Sequence, residues 1–405
     1  MLKSLKNCHL DINFNYQNLL GKGAYAKVYK GTISATNKAY KNHDNNSETV
    51  SNKMNLKTIN FKRPTAIKIF NKKQIFERPD RENFIYLIQN ETEILEILSK
   101  NFHQNIANLY YYCEDLSNIF LSMQFCNASD LARFLRKRDN LAVSEKCARV
   151  IMKQLSSAMA VLDKCGVIHR DIKPENLMLH RIDISHHDDA NTALNIEMPV
   201  TVNDIMSGRA IIKLTDFGLA KFTKNLPKNE KVNSIAGSPI YMAPEIMARL
   251  SYSANADLWS IGVLFYQLVT SHYPFTAKTP GALREHYLNC FLLLKNGADI
   301  SLSFPSQEDI RRPMEFGNLS KEEQHDSQAI GILSNDFKDF VLNLLHIDPN
   351  KRLSMEDYLN HSYLMSVEDG EMMTTPITNP ILERQSTIDQ VRDLSTDFRE
   401  KVSVI

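Results

Sequence analysis

Cysteine is scarce and scattered in this 405-residue chain: Cys8, Cys113, Cys126, Cys147, Cys165 and Cys290 form no C-x-x-C pair. That usage offers no dense disulfide framework and suits a reducing compartment, so a cytoplasmic location is expected. An excess of either charge is also missing. Lys+Arg 48 against Asp+Glu 47 leaves a formal charge of +1, and so weak a global field recommends neither nucleic acid nor an anionic membrane as partner. Long apolar runs are absent too. The longest, Ile261 to Val269, is interrupted by polar residues and falls far short of the roughly 20 that span a bilayer. The N-terminus MLKSLKNCHL has basic residues without the apolar stretch of a secretory signal. No internal repeat occurs, and no D-x-[DN]-x-[DN]-G pattern, which argues against built-in calcium control. What remains is an ordinary globular composition in a chain long enough for two or three domains.

Residues 14–36 read as strands around a glycine turn. The polar, Asn-rich residues 37–60 have little to bury and are expected as an insertion between strands. PTAIKIF (64–70) is the next strand and carries Lys68. Residues 81–99 follow a helical period that puts Phe84, Ile88, Glu91 and Leu95 on one face. IFLSMQF (119–125) alternates like another strand, and from Ser129 onward helices dominate, led by SEKCARVIMKQLSSAMAVLDKCG. The expected class is α+β: a strand-rich part over about 14–125 and a mainly helical part over about 126–364. Further insertions are expected at 180–209 and 296–328, with an N-terminal extension over 1–13 and a C-terminal tail over 365–405. The His186-His187-Asp188-Asp189 cluster has metal donors but no rigid element to aim them, and reads as a solvated loop.

Four groups of residues suit one chemistry, the positioning and neutralising of phosphate. Gly21-Lys22-Gly23-Ala24-Tyr25-Ala26-Lys27-Val28 is a side-chain-poor loop whose backbone N–H groups can approach phosphate oxygens. Alone it is explained equally well by a tight hairpin turn, and Ala26 stands where G-x-G-x-x-G has its third glycine. Lys68 in Ala66-Ile67-Lys68 puts a cation on a strand, as in the V-A-I-K pattern, and needs a carboxylate to hold it. Glu91 shares the apolar face of its helix, whereas its rival Glu93 falls on another. In His169-Arg170-Asp171-Ile172-Lys173-Pro174-Glu175-Asn176, Asp171 would orient an attacking hydroxyl and Lys173 would stabilise a moving phosphoryl group. Asn176 and Asp216 of Asp216-Phe217-Gly218 would offer oxygens to Mg²⁺, a hard cation. The segment from Asp216 to Glu245 contains Ser234. A phosphate there would find Arg170 and Lys221 as cations and order the segment, the plainer alternative being an unmodified loop serine.

With these motifs in order, residues 14–364 resemble a eukaryotic serine/threonine protein kinase, and Lys173, two residues after Asp171, is of the serine/threonine type. The resemblance implies a bilobal fold, ATP and Mg²⁺ as cofactors, and protein substrates that present Ser or Thr. It implies that Val28, Ala66 and Met178 sandwich the adenine, and that Met123 is the gatekeeper before hinge residues Gln124 to Cys126. It also implies that Glu245 pairs with Arg352 and that Asp257 anchors the backbone of the catalytic loop. Within that superfamily, FLSMQFCNASDLARFL (120–135), AGSPIYMAPEI, ADLWSIGVLFYQLVT and PFTAKTPGALREHY are most similar to the autophagy-initiating ULK/ATG kinases, as is Ala26 in the phosphate loop. Autophagy signalling is the role so implied. The rivals are a calcium- or energy-linked kinase and a partner-binding scaffold without turnover. A scaffold usually loses the lysine, the catalytic aspartate or the metal aspartate, and all three are present here.

Two features stay open on sequence grounds. Asp130 could meet a ribose or a basic substrate residue, or it could, like Ser129, simply cap the helix that starts at Leu131. In the tail, Ile388, Val391, Leu394, Phe398 and Val402 recur at helical spacing. They could engage a regulatory partner or the chain's own catalytic part, or remain disordered. The mixed charges between them suit a membrane surface less well, though peripheral association stays open.

Overall fold

The computed structural model describes residues 2–6, 11–23, 26–35, 61–138, 142–182, 198–223, 238–250, 253–298, 300, 302–306, 308–310 and 328–365. Ala24, Tyr25, Ser234, the 37–60 insertion, the 186–189 cluster and the tail from 366 lie outside them.

Strands β1 (Leu2–Lys6), β2 (Asp11–Lys22), β3 (Ala26–Ala35), β4 (Phe61–Asn71), β5 (Leu109–Glu114) and β6 (Asn118–Gln124) form one antiparallel sheet in the order β1-β2-β3-β4-β6-β5. Because side chains alternate across a strand, β4 turns Ile67 and Ile69 to one face and Ala66 and Lys68 to the other. Ile67 and Ile69 join Ile12, Phe14, Tyr29, Ile33 and Phe120 in a closed apolar cluster. The cross-strand register puts Val28 opposite Lys68 and Ala66 opposite Met123, so all four share the second face. Helix α1 (Lys72–Phe76) starts from Asn71, whose side chain accepts the Gln74 N–H. Helix α2 (Arg81–Lys100) then buries Phe84, Ile88, Glu91 and Leu95, the stripe its sequence period foretold.

The extension over 1–13 is a correction. β1 pairs with β2 from Leu2↔Asn15 to Lys6↔Asp11, and Ile12 is 1% exposed, so the sheet begins well before residue 14. β1 lies at the edge of the sheet, and its sequence LKSLK gives only a weak strand signal.

The helical part is organised around α4 (Glu145–Lys164) and α7 (Asn255–Thr270), with α3 (Leu131–Lys137), α5 (Val202–Met206), α6 (Pro244–Met247), α8 (Pro280–Lys295), α9 (Asn335–Leu344), α10 (Met355–Leu359) and α11 (Ser362–Met365) around them. Ser144 caps α4 by accepting the Cys147 N–H, and Ile151, Leu155 and Leu162 behind it are fully buried. Helix α7 is buried nearly all round. A Cβ on Gly262 would come within 2.8 Å of Leu345, so only glycine lets α7 approach the end of α9 this closely. Short strands complete the part: β7 (Val167–Ile168) pairs with β10 (Lys221–Phe222), and β8 (Leu177–Arg181) pairs with β9 (Ala210–Leu214).

The insertion expected over 180–209 is narrower than its polar composition suggested. His180 and Arg181 belong to β8, and residues 198–209 return as folded chain. Val202 and Ile205, three residues apart, are buried in the core, and Asp204 binds Arg181 and Arg209. Within the stretch expected over 296–328, Ile310 is likewise buried against Ala142 and Ile330.

Candidate functional site

From β4, Lys68 reaches to α2, where its Nζ lies 2.6 Å from Glu91 Oε1 and 3.2 Å from Asp216 Oδ1. Burial alone would pull the pKa of this ammonium down. The two carboxylates, Glu91 first, outweigh burial and hold it above the ordinary lysine value. Lys68 in turn holds Asp216 below the usual carboxylate range, against the opposing pull of burial. Glu93 is exposed, as its place on another helical face requires. Asp216 has φ 59°, a left-handed conformation costly for a residue with a Cβ. Its neighbours hold it there: Phe217 is 1% exposed and packs edge-on against the His169 ring. Asn90 Nδ2 donates to the Ala220 carbonyl at 2.7 Å and ties α2 to the same segment.

The catalytic-loop residues converge just below. Asp257, at the start of α7, accepts the His169 N–H at 2.7 Å and the Arg170 N–H at 2.8 Å, which holds Arg170 at φ 69°. Asp171 is 8% exposed, and its Oδ2 accepts from Lys173 Nζ at 2.7 Å and from Asn176 Nδ2 at 2.9 Å. The Asn176 carbonyl receives the Thr215 N–H at 2.9 Å, which brings Asp216 beside the loop. Lys68, Glu91, Asp171, Lys173, Asn176 and Asp216, spread over 149 positions in sequence, thus meet in one place.

Sequence reasoning gave Ser238 no role. Its Oγ accepts from Lys173 Nζ at 3.1 Å, and its N–H donates to Asp171 Oδ1 at 3.3 Å. No local signal marks this contact, because a Ser-Pro pair has no period that points 65 residues back. Asp130 resolves toward the plainer alternative: its side chain accepts the Arg133 N–H at 2.7 Å and caps α3. Gly21 is half-buried, Lys22 and Gly23 are exposed, and Ala26 is 8% exposed.

The surroundings fit a purine nucleotide. The Gln124 N–H is occupied by the Asn108 carbonyl at 2.8 Å, but the backbone N–H of buried Cys126 has no partner among the described residues. Val28, Ala66 and Met123 are half-buried, apolar and on one face of the sheet by the register above, and Met178 is half-buried on β8. A divalent cation fits as well. Asn176 spends its Nδ2 on Asp171 and keeps its Oδ1 clear of any donor among the described residues. No group of three or more His, Cys, Asp or Glu among the described residues could cage a metal. Mg²⁺ needs none: it takes one or two protein oxygens and completes its shell with phosphates and water.

Behind the cleft, the loop between α2 and β5 is latched to β9. Asn105 Nδ2 donates to the Ile212 carbonyl at 2.8 Å, and Lys213 Nζ donates to the Gln104 carbonyl. Burial pushes the Lys213 pKa down from 10.5 to about 8. Folded chain therefore sheds this proton before unfolded chain does, and stability rises with pH between those values. Relative to Lys213→Met, the wild type is expected to gain about 2 kcal/mol from pH 7.5 to 9.5. Thermal unfolding of both proteins at the two pH values checks this; a pH-independent gap would show that Lys213 does not titrate there.

A family model described as a protein kinase domain matches residues 49–364. The serine/threonine-protein kinase unc-51 of Caenorhabditis elegans is 28% identical over 356 residues, 87% of this chain and 31% of that protein. The human serine/threonine-protein kinase ULK1 is 32% identical over 274 residues, 68% of this chain and 21% of that protein. Human ULK3 is 30% identical over 345 residues, 85% of this chain and 53% of that protein. The chain therefore spans between about a fifth and about half of the length of these relatives.

Proposed function

Because the chain belongs to the protein kinase family, we propose that it is a serine/threonine kinase that transfers the γ-phosphate of ATP to protein hydroxyls in autophagy signalling. The observation that carries the chemistry is the meeting of the Lys68–Glu91–Asp216 ion triad with the Asp171–Lys173–Asn176 cluster. Similarity to unc-51, ULK1 and atg1 kinases supports the pathway.

In this reading Glu91 holds Lys68 where its ammonium meets the α- and β-phosphates. The glycine loop over 21–28, including Ala24 and Tyr25, covers them. Val28, Ala66, Met123 and Met178 grip the adenine, and backbone groups of Gln124 and Cys126 read its edge. Asn176 and Asp216 hold Mg²⁺, which when bound neutralises charge on the phosphate oxygens. Asp171 orients the substrate hydroxyl and takes up its proton, while Lys173 meets the charge on the transferred group. Arg170 and Lys221 lie close enough that, after burial, Arg170 lowers the Lys221 pKa. A phosphate on Ser234 would relieve that crowding of like charge and order the segment. A regulatory partner engaging the 365–405 tail belongs to the same proposal, supported by its apolar spacing. No helix among the described residues is long and apolar enough to cross a membrane, and the scattered cysteines support a cytoplasmic location.

Incubating the purified chain with radiolabelled ATP, Mg²⁺ and a mixture of proteins tests the reading. Label on serine or threonine, lost when the cation is chelated, is the expected result. A folded chain that transfers none overturns it.

A further inference from the structure

Residues 127–130, which lead out of the hinge, run antiparallel beside β8 as though they were an added strand. Asp130 bridges Met178, and the Leu179 N–H donates to the Ser129 carbonyl at 2.9 Å. The last rung is made by a side chain. Asn127 is 6% exposed, and its carboxamide spans the peptide groups of Arg181: Oδ1 accepts the Arg181 N–H at 2.8 Å, and Nδ2 donates to the Arg181 carbonyl at 3.1 Å. Its backbone carbonyl accepts the Met198 N–H at 2.9 Å, where the chain returns after residue 197. One residue thus fastens the end of the hinge to both flanks of the 183–197 stretch.

We propose that Asn127 is a positioning residue for the nucleotide, setting the distance between the hinge backbone at Cys126 and the floor at Met178. This rests on the kinase reading above. Cys126 and Met178 come from separate elements, and the backbone contacts of Ser129 and Asp130 with β8 fix their spacing at one end only. The Asn127 carboxamide adds two bonds at the other. Asparagine is the shortest side chain that carries a donor and an acceptor on separate atoms, which a peptide group opposite requires. Aspartate keeps the acceptor and sets a second oxygen against the Arg181 carbonyl; alanine loses both bonds. Both bonds are half-buried, so their loss leaves polar groups of Arg181 poorly satisfied at β8. The adjoining floor would then shift under the purine. The groups that meet the phosphates and the hydroxyl, Lys68 and Asp171, do not touch Asn127 or Arg181.

Steady-state kinetics of the full chain with ATP and a protein substrate test the idea. Asn127→Ala is expected to raise KM for ATP about tenfold, the equivalent of one or two hydrogen bonds, with kcat and the protein-substrate KM within about twofold of wild type. Asn127→Asp should fall between the two, and it carries the test if the alanine variant does not fold. The inference is overturned if the folded variants keep the wild-type KM for ATP, or if kcat falls with KM unchanged, as a loss of folded enzyme would give. A wild-type chain without turnover defeats the kinase reading itself; an active wild type with indifferent Asn127 variants defeats only this inference.

Discussion

Asp171→Asn is expected to cut phosphotransfer about a thousandfold while leaving ATP affinity within about twofold. The reason lies in what surrounds the carboxylate. Its Oδ2 receives Lys173 Nζ at 2.7 Å and Asn176 Nδ2 at 2.9 Å, and its Oδ1 receives the Ser238 N–H at 3.3 Å. All three neighbours are donors, so an asparagine must turn its own NH₂ toward one of them. It also loses the ability to take up the hydroxyl proton. In the proposed function the nucleotide is held by other residues, chiefly Lys68 and the hinge, so binding should be spared. Label transfer under saturating ATP, paired with a fluorescence titration of nucleotide, separates the two quantities. A variant retaining more than about a tenth of the wild-type rate would remove Asp171 from the role of base.

The largest stability effect is expected at Arg352. Its guanidinium is bidentate to Glu245, with Nη1 at 2.8 Å and Nη2 at 3.0 Å, and both side chains are essentially without exposure. The same group donates to the Asn255 carbonyl at 2.8 Å and to the His346 carbonyl at 3.2 Å. It also lies 5.2 Å from the centre of the fully buried Trp259 ring. Arg352→Met strands the Glu245 carboxylate in the core, at a cost of about 3–5 kcal/mol. Replacing both partners, as in Glu245→Leu with Arg352→Met, removes the stranded charge and should recover a good part of that loss. Chemical denaturation of the three proteins decides the matter. Equal destabilisation of the single and double variants would show that packing and the two carbonyls, rather than the charge, make Arg352 indispensable.

Much of the candidate site was legible because its signals are short-ranged. Lys68 belongs to a two-residue strand period, Glu91 to a 3.6-residue helical stripe, and Asp171, Lys173 and Asn176 to one loop whose spacing survives any packing. Glu91 could be chosen over Glu93 from helical geometry alone, and Glu93 is exposed. The likeness to kinases carried more: the pairing of Glu245 with Arg352 and the anchoring of the loop by Asp257 join residues that no local period connects. Where composition was averaged over a long window, the reading blurred. Val202 and Ile205 were lost in a polar stretch, and the edge strand at Leu2–Lys6 passed as an extension.

Composition and local periodicity by themselves determined the fold class, the stripe on α2, the cleft-facing side of β4 and the residue types of the site, since each depends only on neighbours along the chain. Closure of the chain decided the rest: that Ser238 returns to Lys173, that Asp130 caps a helix, that Asn127 stands in for a strand opposite Arg181. A hydroxyl, carboxylate or amide can satisfy its hydrogen bonds in many ways, and which partner it meets is settled only when distant backbone groups are brought out of water together.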